Sequence, residues 1–271
     1  MPETVVYETL LTRREGSLAH ITLNRPELHN AFNDTLVAEL THVLEAVEHE
    51  DSIHAVLLTG AGKSFCAGAD TRWMRGMAAS SKLENKEDAL RLARLMRVLN
   101  FLSKPTIARV NGATYGGGIG LVSCCDIAIG SADASFALSE VKLGLVPATI
   151  APYVVAAIGL RHARRLFVSG EVFDADHAAK IGLLHEVVAA DQLDATIDGV
   201  LKALDRTGPL ARREAKRLAL HMGDMERTSA SRMDAHNAEL IARLRISKEG
   251  QEGLGAFLDK RAPEWMGPDS G

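Results

Sequence analysis

At 271 residues, with 46% apolar and 24% charged side chains, the chain can bury a substantial core and carries none of the compositional marks of disorder. A formal charge of −4 gives no electrostatic reason to bind nucleic acid, and three cysteines, two of them adjacent, make a poor disulfide framework and point to a reducing, cytoplasmic setting. The opening stretch MPETVVYETLLTRREG has acids where a signal peptide needs a basic end, and no run reaches ~18 apolar residues, so neither export nor membrane spanning is expected.

In chain order, SLAHITLN reads as a strand. A helix follows Asn33-Asp34, a good N-cap, with Leu36, Val37, Leu40, Val43, Leu44 and Val47 on one face. HAVLLTG is a second strand, and the small-residue turn SFCAGADTRWM after it opens a further helix. The polar, weakly periodic segment from Met74 to Ala89 reads as a mobile loop beside a site. Leu92, Leu95, Met96, Leu99 and Leu102 then restore helical spacing until Lys104-Pro105 stops it. TIARVNG, the glycine-rich ATYGGGIGLVS and CDIAIGS give strand, turn with helix, and strand. Alternation of this kind to about residue 190 predicts an α/β core. From Asp191 the pattern is helical: Leu193, Ile197, Val200, Leu201 and Leu204 mark one helix, Gly208-Pro209 breaks it, and charge-rich helical sequence continues as an oligomerisation element.

Several familiar signals fail on inspection. Gly62-Lys63-Ser64 is the tail of a phosphate-binding loop, but the required earlier glycine is Leu57 and no helix follows directly. Gly116 and Gly118 begin a dinucleotide fingerprint whose third glycine is replaced by Leu121. Glu39 and His42 form half of a di-metal motif without its other half, and lie off the apolar stripe. No zinc-hydrolase or serine-elbow motif occurs, so zinc hydrolysis and a nucleophilic serine lack support and no metal is expected. Cys66, among small residues, reads as packing rather than chemistry.

The two small-residue turns share one logic. Each opens a helix and so leaves backbone N–H groups unpaired, and two such turns converging on one point would make an oxyanion hole. Tight helix–strand packing is the other use of the same glycines, and either turn alone would favour it.

Together, SFCAGAD, VNGATYGGGIGL, CDIAIGSADASFALSEVKLGLVP and AAKIGLLHEVV, in this order and spacing, resemble the enoyl-CoA hydratase/isomerase (crotonase) family, from ITLNRPELHNAFN to FLDKRAPEW. The resemblance implies an α/β fold, a crotonase-like spiral of β-β-α units as an acyl-CoA-binding core at residues 1–190. A helical C-terminal region at 191–271 would build a homotrimer or a dimer of trimers. It implies that the backbone N–H groups of Ala69 and Gly117 hold the thioester oxygen of an acyl-CoA as it becomes an enolate. Coenzyme A is then part of the substrate, and no further cofactor is implied.

Glu140 matches the second of two family glutamates that hold water and move its protons. The first maps onto Gly120, a departure that puts two-acid catalysis in doubt and is expected to empty volume and remove a charge beside the acyl group. Water would then be held by Glu140 and the N–H of Ala148. CoA contacts map onto the backbone at Glu27, Leu28 and His29 and onto Ala67, Ala69 and Asp70, while Phe257 and Lys260 match positions that reach a neighbouring subunit's CoA. By charge alone, Arg25 and Lys63 read equally as phosphate partners and as solvated surface residues. GGGIGLVSCCDIAIGS and LSEVKLGLVPATIAPYVVAAIG look closest to the bacterial methylglutaconyl-CoA and isohexenylglutaconyl-CoA hydratase branch, which suggests a branched or carboxylated acyl chain. An isomerase using Glu140 alone, a decarboxylase and a non-catalytic acyl-CoA-binding protein are the competing readings.

Overall fold

A computed structural model of the chain describes residues 6–266; the ends of the two expected regions, 1–5 and 267–271, lie outside them. Two sheets share the core. In the longer one, β1 (Leu10–Glu15) and β2 (Leu18–Leu23) form a hairpin, and β3 (Ala55–Gly60), β5 (Thr106–Val110), β7 (Ile127–Ser131) and β10 (Glu186–Val188) join β2 in parallel, in the order β1-β2-β3-β5-β7-β10. The shorter sheet is built from three-residue strands: β4 (Ser64–Cys66), β6 (Ala113–Tyr115) and β8 (Ser135–Ala137) in parallel, with β9 (Val172–Asp174) antiparallel at its end.

A repeat runs through this arrangement. A long strand crosses the first sheet, a short strand crosses the second, and a helix follows: β3-β4-α2 (Thr71–Ala79), β5-β6-α4 (Gly117–Cys124), and β7-β8 with a 3-10 turn (Ser139–Leu143) before α5 (Ala151–Ser169). This is the β-β-α spiral that the resemblance implies. α2 and α4 begin shortly after the ends of the neighbouring parallel strands β4 and β6, so their N-termini lie toward the same edge of the second sheet.

Local chemistry accounts for the helices. The Asn33 carboxamide accepts the Leu36 N–H at 2.8 Å and starts α1 (Asp34–Glu48), in which all six anticipated apolar residues are buried. The three cysteines are free and buried, and burial pushes the Cys66 and Cys125 thiols up to about 12. They serve packing.

Residues Met74 to Ala89 are not the loop the sequence suggested. Met74 and Met77 are buried on α2 against Leu145 and Leu254, and Ser81 opens α3 (Lys82–Asn100) with a capping box closed by Glu84. Periodicity was hidden because polar side chains point inward here. Arg245, on α9 (Arg227–Arg245), reaches across to α3 and donates to Asn85 Oδ1 at 3.2 Å and Asp88 Oδ2 at 2.9 Å, and all three residues are buried. Arg245→Ala leaves the buried Asp88 carboxylate with only the exposed Arg91, at 3.3 Å, and should cost about 3–5 kcal/mol, read as a lower midpoint in chemical unfolding. Adding Asp88→Ala should recover part of that loss.

The helices after residue 191 cover the core. α7 (Leu193–Asp205) buries Leu193 and Ile197 against Leu57, Ile107 and Ile129 on the long sheet. On α8 (Pro209–Met222), Lys216 reaches Asp126 Oδ2 at 2.8 Å. α9 packs along α3, and α10 (Lys248–Leu258) packs on α2 and on the 3-10 turn at Ser139–Leu143. Among the described residues no helix is long and apolar enough to cross a membrane.

Candidate active site

The two small-residue turns meet. Gly68, with φ +89°, lies against the Tyr115 carbonyl, and the Cβ position of Gly116 is 3.9 Å from Gly68 Cα. Phe32 ties the first turn down, donating to the Gly68 carbonyl at 2.7 Å and accepting the Asp70 N–H at 2.8 Å. Gly116 holds the second, its N–H donating to the Ala137 carbonyl at 2.9 Å. Between these bonded amides, the N–H groups of Ala69 and Gly117 donate no hydrogen bond among the described residues. Ala69 is exposed and Gly117 half-buried, so both donors are accessible from outside. Gly118 serves the packing use of glycine instead, since a Cβ there would lie 2.5 Å from the Cys66 carbonyl.

Glu140 stands over this junction. The 3-10 turn after β8 carries it, and its Oε1 lies 3.1 Å from where a Cβ on Gly116 would be. Gly116 has φ +50°, a conformation that side-chain-bearing residues rarely adopt, so a glycine here both makes the turn and admits the carboxyl. Oε2 is buried without a hydrogen-bond partner, and burial pushes the carboxyl up to about 7, against a smaller opposing effect of the residue's own backbone N–H. A carboxyl that titrates near neutrality beside two unpaired amide donors can both take and return a proton.

Two expectations about the neighbourhood are corrected. Gly120 opens no volume: a Cβ there would lie 2.3 Å from Ile150 Cγ2, 2.9 Å from Ile150 Cβ and 3.2 Å from Met96 Cε, so hydrocarbon already fills the space. Ala148 offers no free amide to hold water, because its N–H donates to the Val146 carbonyl at 2.8 Å.

The residues matched to CoA contacts divide into two groups. Glu27 and Leu28, in a 3-10 turn at Pro26–Leu28, and His29 adjoin the first small-residue turn, with the Ala67 N–H donating to the His29 carbonyl at 3.0 Å. Asp70 is buried and engaged: Arg25 Nη2 donates to its Oδ2 at 2.6 Å and the Arg72 N–H to its Oδ1 at 2.8 Å. Burial alone would raise this carboxyl, but the Arg25 guanidinium and the Arg72 amide hold it below the ordinary carboxylate range. Arg25 is therefore committed to Asp70 and to the Ala31 carbonyl, and is not a free phosphate partner. Arg25→Ala should cost about 3–5 kcal/mol by leaving Asp70 unpaired, whereas Arg25→Lys should retain much of the stability, both read by thermal unfolding. Lys63 is exposed with no ion pair among the described residues. Phe257 is 47% exposed near the end of α10, and Lys260 is exposed just beyond it.

A cleft of about 810 Å³ between α8 and the ends of α1 and α3 is lined by none of these residues. Among the described residues no cluster of three His, Cys, Asp or Glu side chains could hold a metal ion. Sequence reasoning missed Ile150, Phe32 and Met96, which shape the site through contacts between distant segments.

The family model for enoyl-CoA hydratase/isomerase matches residues 13–268. The chain is 31% identical to a crotonyl-CoA hydratase of Syntrophomonas wolfei over 97% of its own length and 99% of the relative's. It is 34% identical to a mevalonyl-coenzyme A hydratase of Aspergillus fumigatus, covering 90% of each. The crystal structure of an enoyl-CoA hydratase from Shewanella pealeana superposes with a TM-score of 0.78 at 42% identity, over 95% of this chain and 96% of that one. With the spiral, the facing glycine turns and the matched length in agreement, the protein belongs to the enoyl-CoA hydratase/isomerase family and has its crotonase fold.

Proposed function

We propose that the protein hydrates a 2-enoyl-CoA thioester with Glu140 as its single acid/base. The observation that carries this reading is the Glu140 carboxyl, buried and unpartnered against Gly116, beside the unbonded N–H groups of Ala69 and Gly117. Glu140 takes a proton from water as the oxygen adds to C3, and the thioester oxygen gains charge between the two amides. The same carboxyl then returns the proton to C2 and closes the cycle. Donors fixed in place before charge develops are the main source of such acceleration.

The names of the relatives favour hydration. A branched or carboxylated acyl group, such as methylglutaconyl, is supported by the resemblance of the glycine turn and of the Glu140 segment. It is also supported by the lack of a side chain at Gly120, which leaves no second carboxylate on that wall to repel a charged acyl chain. The backbone at Glu27–His29, with Ala67, Ala69 and Asp70, would take the CoA. The core at 1–190 and the helical region at 191–271 would act in a cytoplasmic homotrimer or dimer of trimers, in which Phe257 and Lys260 reach a neighbour's CoA. Leu210, Leu218 and Met222 on α8, all more than half exposed, are an apolar surface suited to self-association.

One observation favours a second reading. Because the Ala148 amide is engaged, water has one fewer holder than expected, and a lone carboxylate that carries a proton from C2 to C4 would make a 3-enoyl-CoA isomerase. Turnover of methylglutaconyl-CoA and of a 3-enoyl-CoA, followed by thioester absorbance and mass, separates the two. A gain of one water on the glutaconyl ester supports the hydratase; conjugation of the 3-enoyl ester at constant mass supports the isomerase.

A further inference from the structure

Ile150 is 1% exposed and occupies the residue before α5, where its carbonyl accepts the N–H groups of Tyr153 and Val154. Its backbone is thus fixed, and its β-branched side chain has little rotamer freedom. That side chain fills the Cβ position of Gly120. Gly120 in turn lies in the first turn of α4 and donates at 3.3 Å to the carbonyl of Gly116, the residue that caps the helix, so the two glycines are joined by one hydrogen bond. Glu140 covers the first and Ile150 the second. Carboxyl and isoleucine thus lie against two glycines that one hydrogen bond ties together at the start of α4.

We propose that Ile150 is a positioning residue for Glu140: locked against Gly120 and Met96, it seals the open face of α4 beside the carboxyl, excluding both water and any second ionisable side chain. This rests on the assignment of Glu140 as the acid/base. The side chain that sets how this site titrates is then an aliphatic one, supplied by a segment distant in sequence from both glycine turns. No charged neighbour supplies an alternative cause. On the elements packed against the Glu140 turn, the titratable side chains are Lys142 on the turn itself, Lys248, Glu249 and Glu252 on α10, and the buried Tyr153 with Arg161, His162, Arg164 and Arg165 on α5, while α4 contributes only the buried Cys124. None of these is among the causes that shift Glu140, and burial is the leading one.

The test is a titration of the Glu140 carboxyl by ¹³C NMR in the full-length, substrate-free protein, the signal being identified by its absence in Glu140→Gln. Ile150→Ala should let water reach the carboxyl and lower its midpoint by about one pH unit or more, and Ile150→Val should keep it near the wild-type value. An unmoved midpoint in Ile150→Ala would reduce Ile150 to ordinary core packing and overturn the proposal.

A second measurement does not depend on that variant's stability. Gly120→Glu alone should unfold at a lower temperature because the new side chain meets Ile150, and Gly120→Glu with Ile150→Gly should recover at least half of the loss and show a second carboxyl titration. Failure of the pair to recover would also overturn the proposal. Neither readout uses turnover, so inactivity of wild type toward enoyl-CoA esters would count against the reaction assigned above and not against the role of Ile150.

Discussion

Glu140→Gln should lower turnover by about 10²–10⁴-fold, with a much smaller change in KM, since glutamine keeps the shape of the side chain and loses the proton. The same substitution should change how stability depends on pH. In the folded protein the carboxyl is pushed from 4.5 up to about 7, so between these values the native state holds a proton that the unfolded chain has released. Its contribution to stability is complete below about pH 4.5 and is lost as pH rises through about 7, a decline of about 3 kcal/mol. The variant has no proton to lose. It should match wild type near pH 4.5 and exceed it at pH 8, measured as the difference in unfolding free energy. Equal slopes for the two proteins would mean that the carboxyl is solvated in the native state, and an active Glu140→Gln would remove it from the chemistry.

The second large effect concerns the amide pair. A Cβ on Gly117 would stand 2.7 Å from Phe32 Cε2 and 3.1 Å from Cδ2. Phe32 cannot yield without disturbing the other turn, because its backbone bonds both Gly68 and Asp70 around Ala69. Gly117→Ala should therefore displace both donors at once and reduce kcat by about 10²–10³-fold, the typical effect of losing an oxyanion contact. Phe32→Leu added to Gly117→Ala should restore part of the rate by making room for the methyl group. Full activity in Gly117→Ala would place the oxyanion donors elsewhere.

What could be read from the sequence follows from how far each signal reaches along the chain. The buried face of α1 and the cap at Asn33 are local patterns, and both were legible. The strands of the second sheet are three residues long, too short for any alternation to register, although the turns after β4 and β6 announced themselves through their glycines. The segment from Met74 to Ala89 misled because Asn85 and Asp88 face inward toward Arg245, a partner far away in sequence. Gly120 misled for a related reason. A missing side chain implies space only if nothing else enters it, and Ile150 does. Composition gave no hint of Glu140 as a proton carrier; the family resemblance singled it out, and the structure adds its burial and its missing partner.

The turn that carries Glu140 also has a place in the order of assembly. Its far side rests on the last helix: the Cβ position of Gly144 is 2.6 Å from the Glu249 carbonyl, and that of Gly253 is 2.4 Å from the Leu143 backbone. Synthesis runs from the N-terminus, so both sheets and both glycine turns can leave the ribosome while the support for the proposed acid/base is still unmade. A nascent chain halted before residue 248 would carry Glu140 and both amide donors and yet lack the surface against which the Glu140 turn rests. Formation of the site is thereby coupled to the arrival of α10.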